Sequence, residues 1–134
     1  MLIYKAQIQE FTFPEDVDPK TVFNLGVVDH EIATRLIDAN IEVKRASETE
    51  EARSIFHTNE QLYLFALCGI KGWSNFKDAE GKETPFQVEE KVLFNKKVFM
   101  VKANLLTSLP LNKILDLGAA VKNLCTLGVD ETKN

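Results

Sequence analysis

The side chains best suited to chemistry in this chain are two histidines, His30 and His57, and two cysteines, Cys68 and Cys125. Histidine is the usual acid–base group near neutral pH, and a nucleophilic mechanism would need one of these thiols beside one of these imidazoles. Neither histidine sits in a recognisable motif. His30 falls in the first turn of one expected helix and His57 beside the start of another. Both cysteines lie in apolar runs, where a thiol behaves as a small hydrophobe, so they read as core residues. Zinc finds no paired Cys or His spacing to bind. Asp78, Glu80 and Gly81 lack the position-six glycine and the distal glutamate of a calcium loop, and read as a turn. Gly69-Ile70-Lys71-Gly72 matches neither the dinucleotide fingerprint nor the P-loop, and reads as a helix stop followed by a turn. The expectation is a protein with no catalytic residue, no metal ligand and no cofactor.

Charge narrows the partners. Net charge is −4, from 16 basic and 20 acidic residues. The excess acid lies in the first half of the chain, where Glu48, Glu50 and Glu51 form a run that reads as a solvated face. Nucleic-acid binding calls for a basic stripe with interleaved aromatics. The nearest approach is Lys91, Lys96, Lys97 and Lys102, but Glu89 and Glu90 sit beside it, and Phe94 and Phe99 are placed as strand residues. No nucleic-acid partner is expected. Met1 to Glu10 holds Lys5, Gln7, Gln9 and Glu10 and so lacks an apolar signal core, and no long apolar run suits a membrane span, so a soluble, unexported protein is expected.

With 134 residues and no internal repeat or linker-like tract, the chain reads as one domain. Met1 to Phe13 alternates as a strand, with Leu2, Tyr4, Ala6 and Ile8 on one face, Phe11 and Phe13 on the other, and a bulge near Gln9. Pro14 and Pro19 break the pattern, and a short strand follows over Thr21 to Val27. Asp29 caps a helix that carries Ile32, Leu36 and Ile37 on its apolar stripe and stops at Asn40. Ile41 and Val43 form a half-exposed strand running into the polar Ser47 to Glu51 segment. A central helix starts near Asn59 and ends at Gly69, whose expected role is the left-handed residue past a helix. Val92 to Phe94 and Val98 to Val101 flank Asn95-Lys96-Lys97 as a hairpin. Pro110 opens a final helix over Ile114 to Leu124, in which Gly118 is costly unless another backbone packs against it. The fold class is α+β: a mixed or antiparallel sheet, built from the N-terminal strands and the β-hairpin, with about three helices packed on one side.

Trp73 is the only tryptophan. It reads either as a core plug or as an interface anchor, since tryptophan is enriched at binding hot spots. The run from Gly69 through Trp73, Phe76 and Asp78 to Gly81, with Phe86 beyond, resembles a pattern in small morphogenesis proteins of tailed bacteriophages, chaperone-like in tail assembly. Leu109-Pro110 and the ending Glu131-Thr132-Lys133-Asn134 extend that resemblance, which covers about residues 60–134. It implies a non-enzymatic role, with Trp73, Phe76 and Phe86 at the partner-binding surface and packed together.

The implied partners are phage tail or head–tail proteins, above all the tape-measure protein, whose hydrophobic segments would be shielded until the tube polymerises. A homo-oligomer is a further implication. The setting would be the host cytoplasm during assembly, or the virion if the chain is instead a structural protein of the tail or head–tail junction. A small enzyme with an unrecognised site is the alternative from another class, and it would need a deep pocket bringing His30 or His57 near a carboxylate or Cys68.

Overall fold

The computed structural model describes residues 8–38, 41–44, 53–56 and 58–126. Eight of the elements are built around one apolar core: β1 (Ile8–Phe11), β2 (Val22–Gly26), α1 (His30–Asp38), α2 (Thr58–Gly69), β5 (Ile70–Ser74), β6 (Val88–Leu93), β7 (Lys96–Val101) and α3 (Leu111–Thr126). A separate antiparallel pair, β3 (Ile41–Lys44) and β4 (Arg53–Phe56), aligns Ile41 with Phe56 and Lys44 with Arg53. The class is α+β, and every strand pairing among the described residues is antiparallel.

The sheet differs from expectation in its membership. Its order is β1-β2-β5, and the β6–β7 hairpin forms a ladder of its own. The strand that joins the N-terminal pair is Ile70–Ser74, which the sequence reading assigned to a turn. Gly69 ends α2 without a left-handed conformation, so the chain passes straight from helix to strand. Its glycine has a steric cause instead: a methyl group there would meet Val121 Cγ1 at 2.2 Å, so α3 could not pack as it does. Gly118 serves the same contact from the other helix, because the α2 backbone at Leu62 lies directly against it. The bulge expected near Gln9 falls instead in the β2–β5 pairing, between Asn24 and Leu25.

Local chemistry accounts for several boundaries. Asp29 caps α1: its Oδ1 accepts from the Glu31 and Ile32 amides at 3.0 and 3.3 Å, satisfying donors that a helix start leaves unpaired. Ile32, Ala33 and Leu36 then face the core. The Pro110 carbonyl accepts from the Lys113 and Ile114 amides at 3.0 and 3.3 Å, which starts α3 one residue later than the proline itself. The hairpin turn is Phe94-Asn95, not Asn95-Lys96-Lys97. Both residues have positive φ, 53° and 63°, as a two-residue turn matched to strand twist requires. Such a φ is uncommon for phenylalanine. The Phe94 ring is held where Arg35 of α1 approaches its centroid to 6.0 Å.

The core is filled by Phe23, Leu25, Ile32, Phe65, Leu117 and Val121, each fully buried. At about 25 cal/mol per Å² of apolar area removed from water, such side chains each contribute on the order of 2 kcal/mol. Among the described residues one polar side chain joins them: Gln61, 3% exposed, donates from Nε2 to the Leu36 carbonyl at 3.2 Å and accepts from Lys122 Nζ at 2.9 Å. It thereby ties α1, α2 and α3 together. Leu2, Tyr4 and Ala6, Asn40 as a helix stop, the Ser47 to Glu51 segment, His57 and the Glu131 to Asn134 ending lie outside the described residues.

Candidate functional site

Strand register assembles the aromatic residues before any loop is involved. Phe11 lies opposite Phe23, and Phe23 opposite Trp73, so one row of rings crosses all three strands. Phe23 and Trp73 meet edge to face at 6.2 Å between centroids. Asn75, at φ 58°, then turns the chain so that Phe76 folds back under Trp73, with ring centroids 4.9 Å apart. That turn is held from the neighbouring strand, since Thr21 Oγ1, just before β2, donates to the Asn75 carbonyl at 2.8 Å. Phe86 closes the series at 4.9 Å from Trp73 and nearly perpendicular to it. Edge-to-face pairs of this kind add about 1 kcal/mol each beyond area burial.

The sequence-selected trio is therefore one cluster. Trp73 and Phe86 are half-buried, whereas Phe76 is 4% exposed and supports the other rings from beneath. The indole N–H of Trp73 donates to the Thr84 carbonyl at 2.7 Å, which fixes the ring and leaves it no donor for a partner. Asp78 organises the loop between them: its Oδ1 accepts from the Glu80 and Lys82 amides at 2.9 and 3.0 Å, and Gly81 takes a φ of 82° that a side chain would strain.

A second surface, which the sequence reading left as an ordinary hairpin, lies on β6 and β7. Val88, Glu90 and Val92 share one face of β6, and opposite them stand Val101, Phe99 and Lys97. Val92 is 68% exposed, Phe99 66% and Val88 45%, so three large apolar side chains form a strip open to water. Isolated exposed apolar residues are ordinary; here three share one face of the hairpin, with Glu90 between the two valines and opposite Phe99. Lys97 and Glu90, 3.6 Å apart, lie on that same face. The rear of the hairpin is anchored, since Met100 is buried and Lys96 Nζ reaches Oδ2 of Asp29, the cap of α1, at 2.9 Å; the strip's own face closes at its far end, where Val101 is buried. Among the described residues neither outer edge of the hairpin pairs with another strand. Alternation alone does not find this surface, because Phe99 shares its face with Val101, which is exposed to water by only 1% where the strand ends against the core.

The other chemistry-bearing residues are dispersed. His30 stands on the outer side of α1, in a shallow depression with Glu31 and Asp38. Cys68 is buried on α2, and burial pushes its thiol up to about 11, far from a reactive thiolate at neutral pH. Cys125 is half-buried, is likewise raised by burial, and accepts from the Val28 amide at 3.3 Å. His30 and Cys68 thus line different depressions. Among the described residues no group of three or more His, Cys, Asp or Glu side chains is placed to hold a metal ion. The four lysines weighed for nucleic acid are each engaged: Lys91 with Glu89, Lys96 with Asp29 and Glu31, Lys97 with Glu90, and Lys102 with Gln87 Oε1. No helix among the described residues is long and apolar enough to cross a membrane. Comparison with protein-family models, with curated proteins and with solved structures finds no match to this chain.

Proposed function

We propose that this chain is a non-enzymatic, chaperone-like protein of tailed-bacteriophage tail assembly, working in the host cytoplasm by binding a tail component such as the tape-measure protein. The observation that carries the binding role is the outward strip of Val88, Val92 and Phe99 on a hairpin braced by α1 and α2. An apolar strip on a rigid ladder with unpaired edges suits an amphipathic helix laid across it or a strand added beside it. The phage setting rests on the resemblance over about residues 60–134. The Trp73, Phe76 and Phe86 cluster supplies a stiff platform next to that hairpin, since Phe86 lies two residues before β6.

The runner-up is a structural protein of the tail or head–tail junction, for which the edges of β6 and β7, unpaired among the described residues, would be permanent contacts. Mass spectrometry of purified particles separates the two. A chaperone is absent from mature particles although abundant in the producing cell; recovery at fixed stoichiometry in particles would transfer the assignment to a virion component.

A further inference from the structure

The main chain of β6 is open along one side. Facing positions in an antiparallel ladder alternate between pairs that exchange both main-chain hydrogen bonds and pairs that exchange none. The Lys102 amide donates to the Gln87 carbonyl at 3.1 Å, so Gln87, Glu89, Lys91 and Leu93 are the bonded positions of β6. Val88, Glu90 and Val92 are the others, and their N–H and C=O groups point away from β7. Within the hairpin β7 is the strand that packs on α2 and β5, which leaves β6 as the outer one. Among the described residues no strand covers its free edge. The ladder runs from Val88 to Leu93 without a bulge or a proline, features that commonly blunt such an edge.

The order of residues along this edge says what fits it. Val88-Glu89-Glu90-Lys91-Val92 is close to its own complement when reversed. Laid antiparallel on a second β6 with Glu90 at the centre, Val88 faces Val92, Glu89 faces Lys91, and Glu90 faces Glu90. Val88, Glu90 and Val92 then make the bonded pairs, with the groups that point outward. Glu89 and Lys91 make the non-bonded pairs, in which side chains approach most closely, and there each copy meets the opposite charge. Within one chain Glu89 and Lys91 already lie 3.5 Å apart, so the charges of both copies alternate in one cluster. The like pair at the centre is of the wider, bonded kind, and each Glu90 keeps Lys97 at 3.6 Å. Moving the centre to Glu89 or to Lys91 keeps the hydrogen bonding but sets like charges against each other at the close pair.

We infer that β6 pairs with β6 of a second copy of this chain, in the register centred on Glu90. The two hairpins then form one continuous antiparallel sheet, and their apolar strips join where Val88 of one copy meets Val92 of the other. The inference does not rest on the assembly role, because it uses only the edge of β6 and the charges this chain carries. A contact this short is well below a standard protein interface, so the association is weak.

Sedimentation velocity on the full chain from about 1 to about 500 µM tests it, with a dimer dissociation constant of about 50 µM expected. Glu89→Lys and Lys91→Glu each set like charges opposite one another and should each weaken self-association at least about tenfold. An equimolar mixture of these two variants should restore the dimer, because each then meets the opposite charge at both close pairs. Glu90→Pro removes an N–H that the ladder with β7 does not use, and should abolish the dimer while the hairpin stays folded. Phe99→Thr leaves the edge intact, and its dimer should match the parent's. Monomer throughout the concentration range, a mixture that stays monomeric, a dimer that survives Glu90→Pro, or loss of the dimer in Phe99→Thr, which would mean stacking through the apolar face, overturns the proposal.

Discussion

Gly118 of α3 lies against Leu62 of α2 so closely that a methyl group on Gly118 would stand 1.8 Å from the Leu62 carbonyl oxygen. The obstacle is backbone, so no rotamer change relieves it. Helix propensity alone favours alanine over glycine by up to about 1 kcal/mol. The contact reverses that sign: Gly118→Ala should destabilise the protein by about 3 kcal/mol or more, because α2 and α3 must separate. Chemical denaturation checks this, and an unchanged midpoint would mean that the helices do not cross here.

Gln61 tests how much the three-helix junction depends on a single amide. Gln61→Leu removes the donor to the Leu36 carbonyl and the acceptor for Lys122 at a position 3% exposed. Stranding a buried carbonyl costs about 1–3 kcal/mol, and loss in that range is expected from denaturant unfolding. Lys122→Met should cost less, because it leaves the Leu36 hydrogen bond in place.

Asp29 and Lys96 give the molecule a pH signature. The hydrogen bond from Lys96, followed by the Ile32 amide, holds the Asp29 carboxyl below the usual carboxylate range, and Asp29 in turn raises Lys96. A depressed carboxyl contributes stability above its unfolded pKa and loses it as pH falls through the folded one. A raised lysine contributes below its unfolded pKa and loses that as pH rises through the folded one. The pair therefore contributes between these limits. Asn still caps a helix, so Asp29→Asn isolates the charge. Its Tm should lie below that of the parent at neutral pH, and the gap should close as pH drops below the carboxylate range. A gap constant with pH would contradict the pairing.

The sequence showed those elements whose signals are local. Asp29 as a cap, the Asp78 to Gly81 turn and the Pro110 start of α3 rest on side-chain and backbone chemistry within a few residues, and they stand where expected. Strand β5 was hidden because Gly69 and Gly72 look like punctuation. The reason for Gly69 lies across the fold, at Val121, and cannot be read from its neighbours in sequence. The hairpin turn was displaced because Phe94 adopts a conformation that its type disfavours. Of the candidate site, the mutual packing of Trp73, Phe76 and Phe86 was legible, since three large apolar residues within one short stretch must share cover. The exposure of Phe99 was not, because alternation along a strand does not say which face the core will claim.

The central claim is that the β6–β7 strip is where a tail component binds. The direct measurement is a tagged pull-down from cells expressing the surrounding gene cluster, comparing the parent chain with Phe99→Asp and Val92→Asp, quantified by mass spectrometry. Both positions are exposed, so each variant should keep its stability within about 0.5 kcal/mol. The account predicts that the parent recovers the tape-measure protein and that each variant loses at least about tenfold of it, as burying an unpaired carboxylate in an apolar contact requires. Equal recovery by parent and variants, or no tape-measure protein with either, would contradict it.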